Sequence, residues 1–393
     1  MATMWNLISA AGALWWMCSI GILAASALAA LFHPLRDRRS SIAGALPPVT
    51  AIIPIKCLDP GFEEAQRSFF AQEYPGLEIV IVSGERSSPA VAAARKIQAD
   101  FPSVNSRILE SQTTVAISPK LNNMWDAIAE ADNDLILTKD SNIRLGPGDL
   151  GELVRHMAPG VGLVSAISVA TQPQSLPAWI DAAIVNCYHG RILMLADTVG
   201  LGFGLGKVML FRASDLARAG GLEHVAWALG EDAALSHALN RIGLRTVLAR
   251  HVAYRALGRS SFSEIWERHL RWMLIWRLQV PKAFIGAFLG SAIPTALAGG
   301  LAGRLFGLSP ALVVSATLGS WFVIESAICV IKGWPISFWS PIAFVSREIF
   351  LLLVWLRAWT TNRVGWSGTM HRAHSARVST LGAPAPHRAC QLD

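Results

Sequence analysis

Charge is scarce in this chain. Only 16% of its 393 residues are Asp, Glu, Lys or Arg, against 52% hydrophobic residues and a mean hydropathy of +0.41. A soluble globular protein carries about 25% charged residues, so the composition excludes that class and indicates an integral membrane protein. The length still leaves room for one folded domain beside the membrane segments. Cysteine is sparse as well. Cys18, Cys57, Cys187, Cys329 and Cys390 are scattered, and no two have the Cys-x-x-Cys or Cys/His spacing of a zinc site or the pattern of a disulfide framework. That argues against a disulfide-stapled secreted fold and suits a catalytic domain in the reducing cytosol. No internal repeat is evident. The soluble part also lacks a basic stripe interleaved with aromatic residues, so the formal net charge of +7 does not point to nucleic acid.

No charged residue precedes Arg36. The apolar run over residues 5–32 exceeds the roughly 20 residues that a helix needs to cross a bilayer. It is too long for a signal-peptide core, and "HPLRDRRSS" after it is no cleavage site. Arg36, Arg38 and Arg39 then bring the chain out in the cytoplasm by the positive-inside rule. Three more apolar segments cover residues 283–303, 308–331 and 336–359. The tail beyond them carries Arg363, Arg372, Arg377 and Arg388 with no acid before Asp393, so it is expected in the cytoplasm, and disordered after Gly365. With domain and tail on one side, the C-terminal crossings must be even in number. Arg347 and Glu348, near the middle of the third segment, mark that one as interfacial or re-entrant.

Between these regions the chain reads as α/β. Strands are predicted at "VTAIIPIK", "LEIVIVS", "DLILTKD", "VGLVSAISVA", "GKVMLFR" and "LRTVLARHVAY", and helices over residues 61–72, 89–100, 121–131, 177–195 and 232–242. The alternation implies a mainly parallel sheet covered on both faces, with its chemistry at the carboxyl ends of the strands. The expected organisation is an anchor and basic linker over 1–46, a cytoplasmic catalytic domain over 47–280, membrane segments over 281–362 and a basic tail over 363–393.

Three places carry candidate chemistry. Asp140 follows a strand in "DLILTKDSNI", where a carboxylate can hold a divalent ion that bridges the phosphates of a nucleotide-sugar. An isolated Asp there is more often an Asx turn closing the strand. Glu231 and Asp232 open a helix in "WALGEDAALSHAL". They can compensate its dipole, or Asp232 can act as a general base with Glu231 tuning it. In "ERHLRWMLIW", Arg268, Arg271 and Trp272 fall at i, i+3 and i+4 and so are expected on one helix face. Two guanidinium forks suit a diphosphate leaving group and an indole suits a sugar or lipid headgroup. A juxtamembrane helix touching lipid phosphates has the same residues. Lys120, with Asn122 and Asn123, begins a helix from which it can reach phosphates. The run "GLGFGLG" precedes a strand instead of joining strand to helix, so it reads as close backbone packing beneath an acceptor and not as a dinucleotide loop.

Taken together, Asp140, Glu231–Asp232 and Arg268-x-x-Arg271-Trp272 resemble the second and third aspartates and the (Q/R)xxRW signature of inverting glycosyltransferases with the nucleotide-sugar-binding GT-A fold. More narrowly, "IPIKCLDPGFEEAQRSFFAQEYPGLEIVI", "SPKLNNMWDAI", "KDSNIRL" and "YHGR" resemble blocks of the ceramide glucosyltransferase family. The likeness runs from about residue 48 to 278 and extends to a topology of one N-terminal span with apolar C-terminal segments. It implies a GT-A domain between N-terminal and C-terminal transmembrane helices. It also implies that His189 and Arg191 line the acceptor pocket. The family's first acidic position falls in "IVIVSGERSSPA", where Glu85 is the only carboxylate and takes over the contact to the nucleotide.

The implied reaction moves a hexose, glucose from UDP-glucose, to the primary hydroxyl of a membrane lipid, ceramide, with inversion. Asp140 with Mg²⁺ or Mn²⁺, Arg268 and Arg271 would meet the departing diphosphate, and Asp232 would activate the hydroxyl. The same chemistry on diacylglycerol or a hopanoid remains open. A processive polysaccharide synthase would need more membrane segments for its channel. A non-catalytic scaffold would not need the acid pair and the Arg/Trp face together.

Overall fold

The computed structural model describes residues 2–36, 46–366, 369–374 and 377–380. Arg38, Arg39 and the tail from 381 onward lie outside the described residues. Helix α1 (Ala2–Arg36) leads into β1 (Val49–Pro54), α2 (Phe62–Phe70), β2 (Leu77–Ser83), α3 (Pro89–Asp100), β3 (Ser106–Glu110), α4 (Pro119–Ala129), β4 (Leu135–Lys139), β5 (Ile143–Arg144), α5 (Asp149–Arg155) and β6 (Val161–Pro173). Helix α6 (Leu176–Ala182), a π-helical stretch (Ala183–Gly190) and α7 (Arg191–Thr198) form one run. After it come β7 (Val208–Arg212), α8 (Ala213–Arg218), α9 (Glu231–Arg241), β8 (Arg245–Gly258) and α10 (Phe262–Gln279).

The strands form an eight-stranded sheet in the order β3-β2-β1-β4-β7-β6-β8-β5. Side-chain alternation builds two cores. Ile79 and Ile81 of β2 pack with α3 and α5 on one face, while Val80 and Val82 pack with α4 and α9 on the other. A serine cap followed by proline in the first turn starts three of the helices: the hydroxyls of Ser88, Ser118 and Ser175 accept from the backbone N–H of Val91, Leu121 and Ala178, with Pro89, Pro119 and Pro177 just after them.

The sheet is less parallel than the strand–helix alternation implies. β3, β2, β1 and β4 are mutually parallel, as are β6 and β8, but β7 runs antiparallel to both β4 and β6. This reversal matters for the site. It lays the residue before β7 beside the residue after β4, and the Asp140 N–H donates to the Lys207 carbonyl at 3.0 Å.

The membrane part comprises α1, then α11 (Pro281–Ile285), α12 (Ala292–Gly303), α13 (Pro310–Lys332) and α14 (Ser340–Thr360). Among the described residues, Met4–Leu35 and Pro310–Lys332 are long and apolar enough to cross a membrane. The pair Pro281–Gly290 and Ala292–Phe306 passes the same test only as a unit bent by 63°. Arg347 and Glu348 are buried within the protein. Arg347 pairs with Glu325 of α13 at 2.7 Å, and Glu348 accepts from the N–H of Ala292 at 2.8 Å, at the start of α12. Beyond α14, β9 (Arg363–Trp366), β10 (Thr369–His374) and β11 (Arg377–Thr380) form a small antiparallel sheet, where disorder after Gly365 was expected.

Candidate active site

Asp140 is placed by its own strand's last residue. Lys139 is buried, and its ammonium donates to the carbonyls of Asp140 at 3.1 Å and Ile143 at 2.9 Å, closing the turn after β4. Burial pushes the Lys139 ammonium down to about 7. Ser141 Oγ donates to Asp59 Oδ2 at 3.3 Å, and Gln66 Nε2 donates to the Ser141 carbonyl at 2.6 Å. The turn thus has bonds on both sides, and its carboxylate is aimed into a cavity of about 240 Å³.

That cavity brings most of the expected residues together. Lys120, Asp140, His189, Glu231, Asp232, Arg271 and Trp272 all line it. Asp140 Oδ1 lies 2.7 Å from Lys120 Nζ and its Oδ2 lies 2.6 Å from Lys207 Nζ. Burial alone would raise the Asp140 carboxyl, but the two ammonium groups outweigh it and hold it well below the usual carboxylate range. Lys120 also donates to the Gly206 carbonyl at 2.5 Å and lies 3.4 Å from Glu231.

Asp232 is set differently. Its Oδ2 accepts from the Gly206 N–H and its Oδ1 from the Ala233 N–H, each at 2.8 Å. Burial first, and the neighbouring Glu231 second, push it up to about 6. Two carboxyls in one cavity therefore have opposed environments: Asp140 stays ionised, and Asp232 is poised to take a proton near neutral pH. Burial also lowers His189 to about 3, so its ring is neutral. It lies with its centroid 5.7 Å from that of Trp272 and 5.3 Å from that of Trp276.

Three expected residues lie elsewhere. Arg268 does not line the cavity, because Asp181 of α6, fully buried, takes it as a counter-ion and also accepts from His269 Nε2 at 2.9 Å. Arg191 is buried among the membrane helices. It pairs with Glu325 at 3.2 Å, donates to Ser26 Oγ and to the Gly290 carbonyl at 2.7 Å each, and is not among the residues that line the cavity. A buried carboxylate in a span needs such a partner, which decides where Arg191 goes. Glu85 is exposed just after β2, outside the cavity.

Two cations were missed, Lys207 and Arg255. Arg255 lines the cavity from β8, its Nη1 is 3.8 Å from Asp181, and its Nε is buried with no hydrogen-bond partner among the described residues. Burial, then Arg268, lower its guanidinium to about 10, and it stays charged at neutral pH. Lys207 directly follows the glycine run and precedes β7. That position was the available signal. Four cations against three carboxylates leave the cavity positive, which suits an anion larger than a single carboxylate.

A divalent cation fits here only as a companion of such an anion. Among the described residues no three His, Cys, Asp or Glu side chains cluster to hold an ion by themselves. Asp140 offers one carboxylate, and Mg²⁺-type sites of one or two carboxylates complete their shell with substrate phosphates and water.

A mixed sheet with acids at the end of β4 and the start of α9 is the GT-A glycosyltransferase fold. Mannosyltransferase PcManGT from Pyrobaculum calidifontis, solved in complex with GDP-Man and Mn²⁺, has a similar structure, with a TM-score of 0.51 at 16% identity over 88% of this chain and 99% of that one. The chain belongs to glycosyl transferase family 21, whose profile matches residues 14–378. It is 24% identical over 242 residues to ceramide glucosyltransferase 1 of Caenorhabditis elegans, 61% of this chain and 52% of that one. It is 29% identical over 160 residues to a ceramide glucosyltransferase of Gibberella zeae, 37% and 30% of the two chains. The matched region spans about half the length of the C. elegans relatives.

Proposed function

We propose that the protein transfers glucose from UDP-glucose to the primary hydroxyl of a membrane lipid, ceramide, with inversion at the anomeric carbon. The catalytic unit is residues 47–280, held on the cytoplasmic face by the anchor 1–46 and the segments of 281–362. One observation carries this reading. Asp232, raised to about 6, shares a cavity with four cations, and apolar residues that line the same cavity, Leu193 and Leu205 among them, pack in one cluster with the membrane helices.

Lys120, Lys207, Arg255 and Arg271 hold the donor's diphosphate from the wall of the cavity. The base end of the nucleotide extends over the ends of β1 and β2 towards Glu85. Trp272 and His189 wall the sugar and the acceptor hydroxyl. Asp232 takes the hydroxyl proton as the oxygen attacks the anomeric carbon from the side opposite the diphosphate, whose bond to that carbon breaks. Arg268, tied to Asp181, steadies the helix that carries Arg271. Asp140 would hold Mg²⁺ or Mn²⁺ together with the diphosphate, and the ion would offset charge on the leaving group.

The purified full chain in detergent, given a panel of radiolabelled UDP-sugars with ceramide, diacylglycerol or a hopanoid, tests the reading. The expected product is β-linked glucosylceramide. Transfer to diacylglycerol or a hopanoid alone would replace the acceptor, and no transfer to any lipid would refute the reading.

A further inference from the structure

The loop between α7 and β7 joins the membrane part to the cavity. Its backbone lies where side chains cannot. A Cβ at Gly202 would sit 2.5 Å from the Thr246 carbonyl oxygen, and one at Gly204 would sit 2.6 Å from that of Asp232. The loop is therefore pressed onto β8 and onto the first turn of α9 through residues that have no side chain. The residues between the glycines, Leu201, Phe203 and Leu205, are large and apolar. Phe203 and Leu205 line the cavity beside Val185, Leu193 and Trp276, whereas Val199 and Leu201 are 60% and 71% exposed.

The loop's level along α1 says what lies outside it. His33, near the end of α1, is 3.6 Å from Asp197, which sits in the last turn of α7. Leu193 and Leu205 pack in one apolar cluster with Ala27 and Ala30 of α1 and Ile328 of α13. An apolar wall thus runs from the two spanning helices into the cavity. Val199 and Leu201 follow Asp197 by two and four residues, so they come just after the contact with the last turns of α1, the end of the first candidate span. Single exposed leucines need no explanation, but a pair at this level, continuous with an apolar cavity wall, does.

We propose that residues 199–205 are the path by which one hydrocarbon chain of the lipid acceptor reaches the cavity. Val199 and Leu201 sit in the leaflet, and Phe203 and Leu205 receive the chain. The glycines keep the loop flat against the backbone of Asp232, so the hydroxyl at the chain's head arrives beside the base. This deepens the lipid-glucosylation reading and rests on it.

The test uses the full chain in phospholipid nanodiscs with UDP-glucose and a ceramide carrying a diazirine in its acyl chain. Irradiation should cross-link the lipid within residues 199–205. Leu201→Ser changes an exposed side chain and leaves the packed glycines in place. It should raise the KM for long-chain ceramide about tenfold, the worth of one leucine side chain in an apolar setting, without changing the KM for UDP-glucose. Glucosylation with labelling confined to the apolar groove of Trp266, Phe350 and Leu353 between α10 and α14 would overturn the path and leave the function standing. Neither glucosylation nor labelling with any lipid would overturn both.

Discussion

Asp232→Asn separates a general base from a helix-start residue. The Asp232 carboxyl is raised from 3.8 to about 6, by burial first and by Glu231 second. That shift of about two units corresponds to about 3 kcal/mol between the protonated and ionised forms. Because the folded value lies above the unfolded one, the associated stability is fully present below about 3.8 and is lost as the pH rises through about 6. At higher pH the ionised group destabilises the fold by up to that amount, less what solvent in the open cavity screens. Asparagine removes the charge, but its NH₂ must face one of the two backbone N–H groups of Gly206 and Ala233, which costs about 1–2 kcal/mol. The variant should therefore melt at the wild-type temperature or a few degrees above it near pH 8, and lose that advantage near about pH 4. Its turnover should fall by about 10²-fold or more. In the wild type, turnover should climb with pH to a plateau above about 6, and Glu231→Gln should move that limb to lower pH by removing the adjacent negative charge. Tryptophan-fluorescence melts and pH–rate profiles on the same preparations make the comparison. Near-normal turnover in Asp232→Asn, or an acid limb at the ordinary carboxylate range, would refute the reasoning.

Asp140→Ala should abolish metal-stimulated binding of UDP-glucose in an equilibrium binding assay, and full wild-type activity in excess chelator would remove the ion from the reading. Arg271→Lys keeps the charge but loses the planar fork, so turnover should drop by about tenfold or more while Arg268→Lys, still able to pair with Asp181, loses less; equal losses would return Arg268 to the diphosphate. Lys207→Met should raise the donor KM, because it removes one of the four cations lining the cavity, and an unchanged donor KM would assign Lys207 to holding Asp140 alone. Glu85→Ala should weaken donor binding more than it slows the chemical step, and an unchanged donor KM would show that another residue reads the nucleotide base.

The main elements of the catalytic fold were legible because they rest on local patterns. "LEIVIVS" is β2 to the residue, and residues 89–100 are α3. The misses have local causes too. β3 is a half-buried edge strand with Arg and Glu in its five residues, and β5 is two residues long, so neither has an apolar run to display. Helix α4 begins at Pro119, earlier than residue 121, because proline is tolerated in the first turn and Ser118 caps it. The antiparallel direction of β7 is written in no local pattern; it follows from pairing with β4.

The site was legible where a residue's role depends on its own element's end, and not where it depends on a distant partner. Asp140 at a strand end and Asp232 in a first turn are placed by strand and helix alone, and both face the cavity. Arg268 and Arg271 are alike in sequence, three apart on one helix, and helical spacing puts them about 60° apart around its axis. What divides them is Asp181, 87 residues earlier, which is fully buried and takes Arg268 as a counter-ion. Arg191 likewise goes to Glu325, 134 residues later in a spanning helix. Spacing can narrow a cation to a helix face, but which of two nearby arginines lines the cavity and which turns to a buried acid is settled by the position of Asp181. Lys207 is the converse case. Its only local mark is the glycine run before it, and it comes to line the cavity because β7 runs against β4 and sets its ammonium 2.6 Å from Asp140.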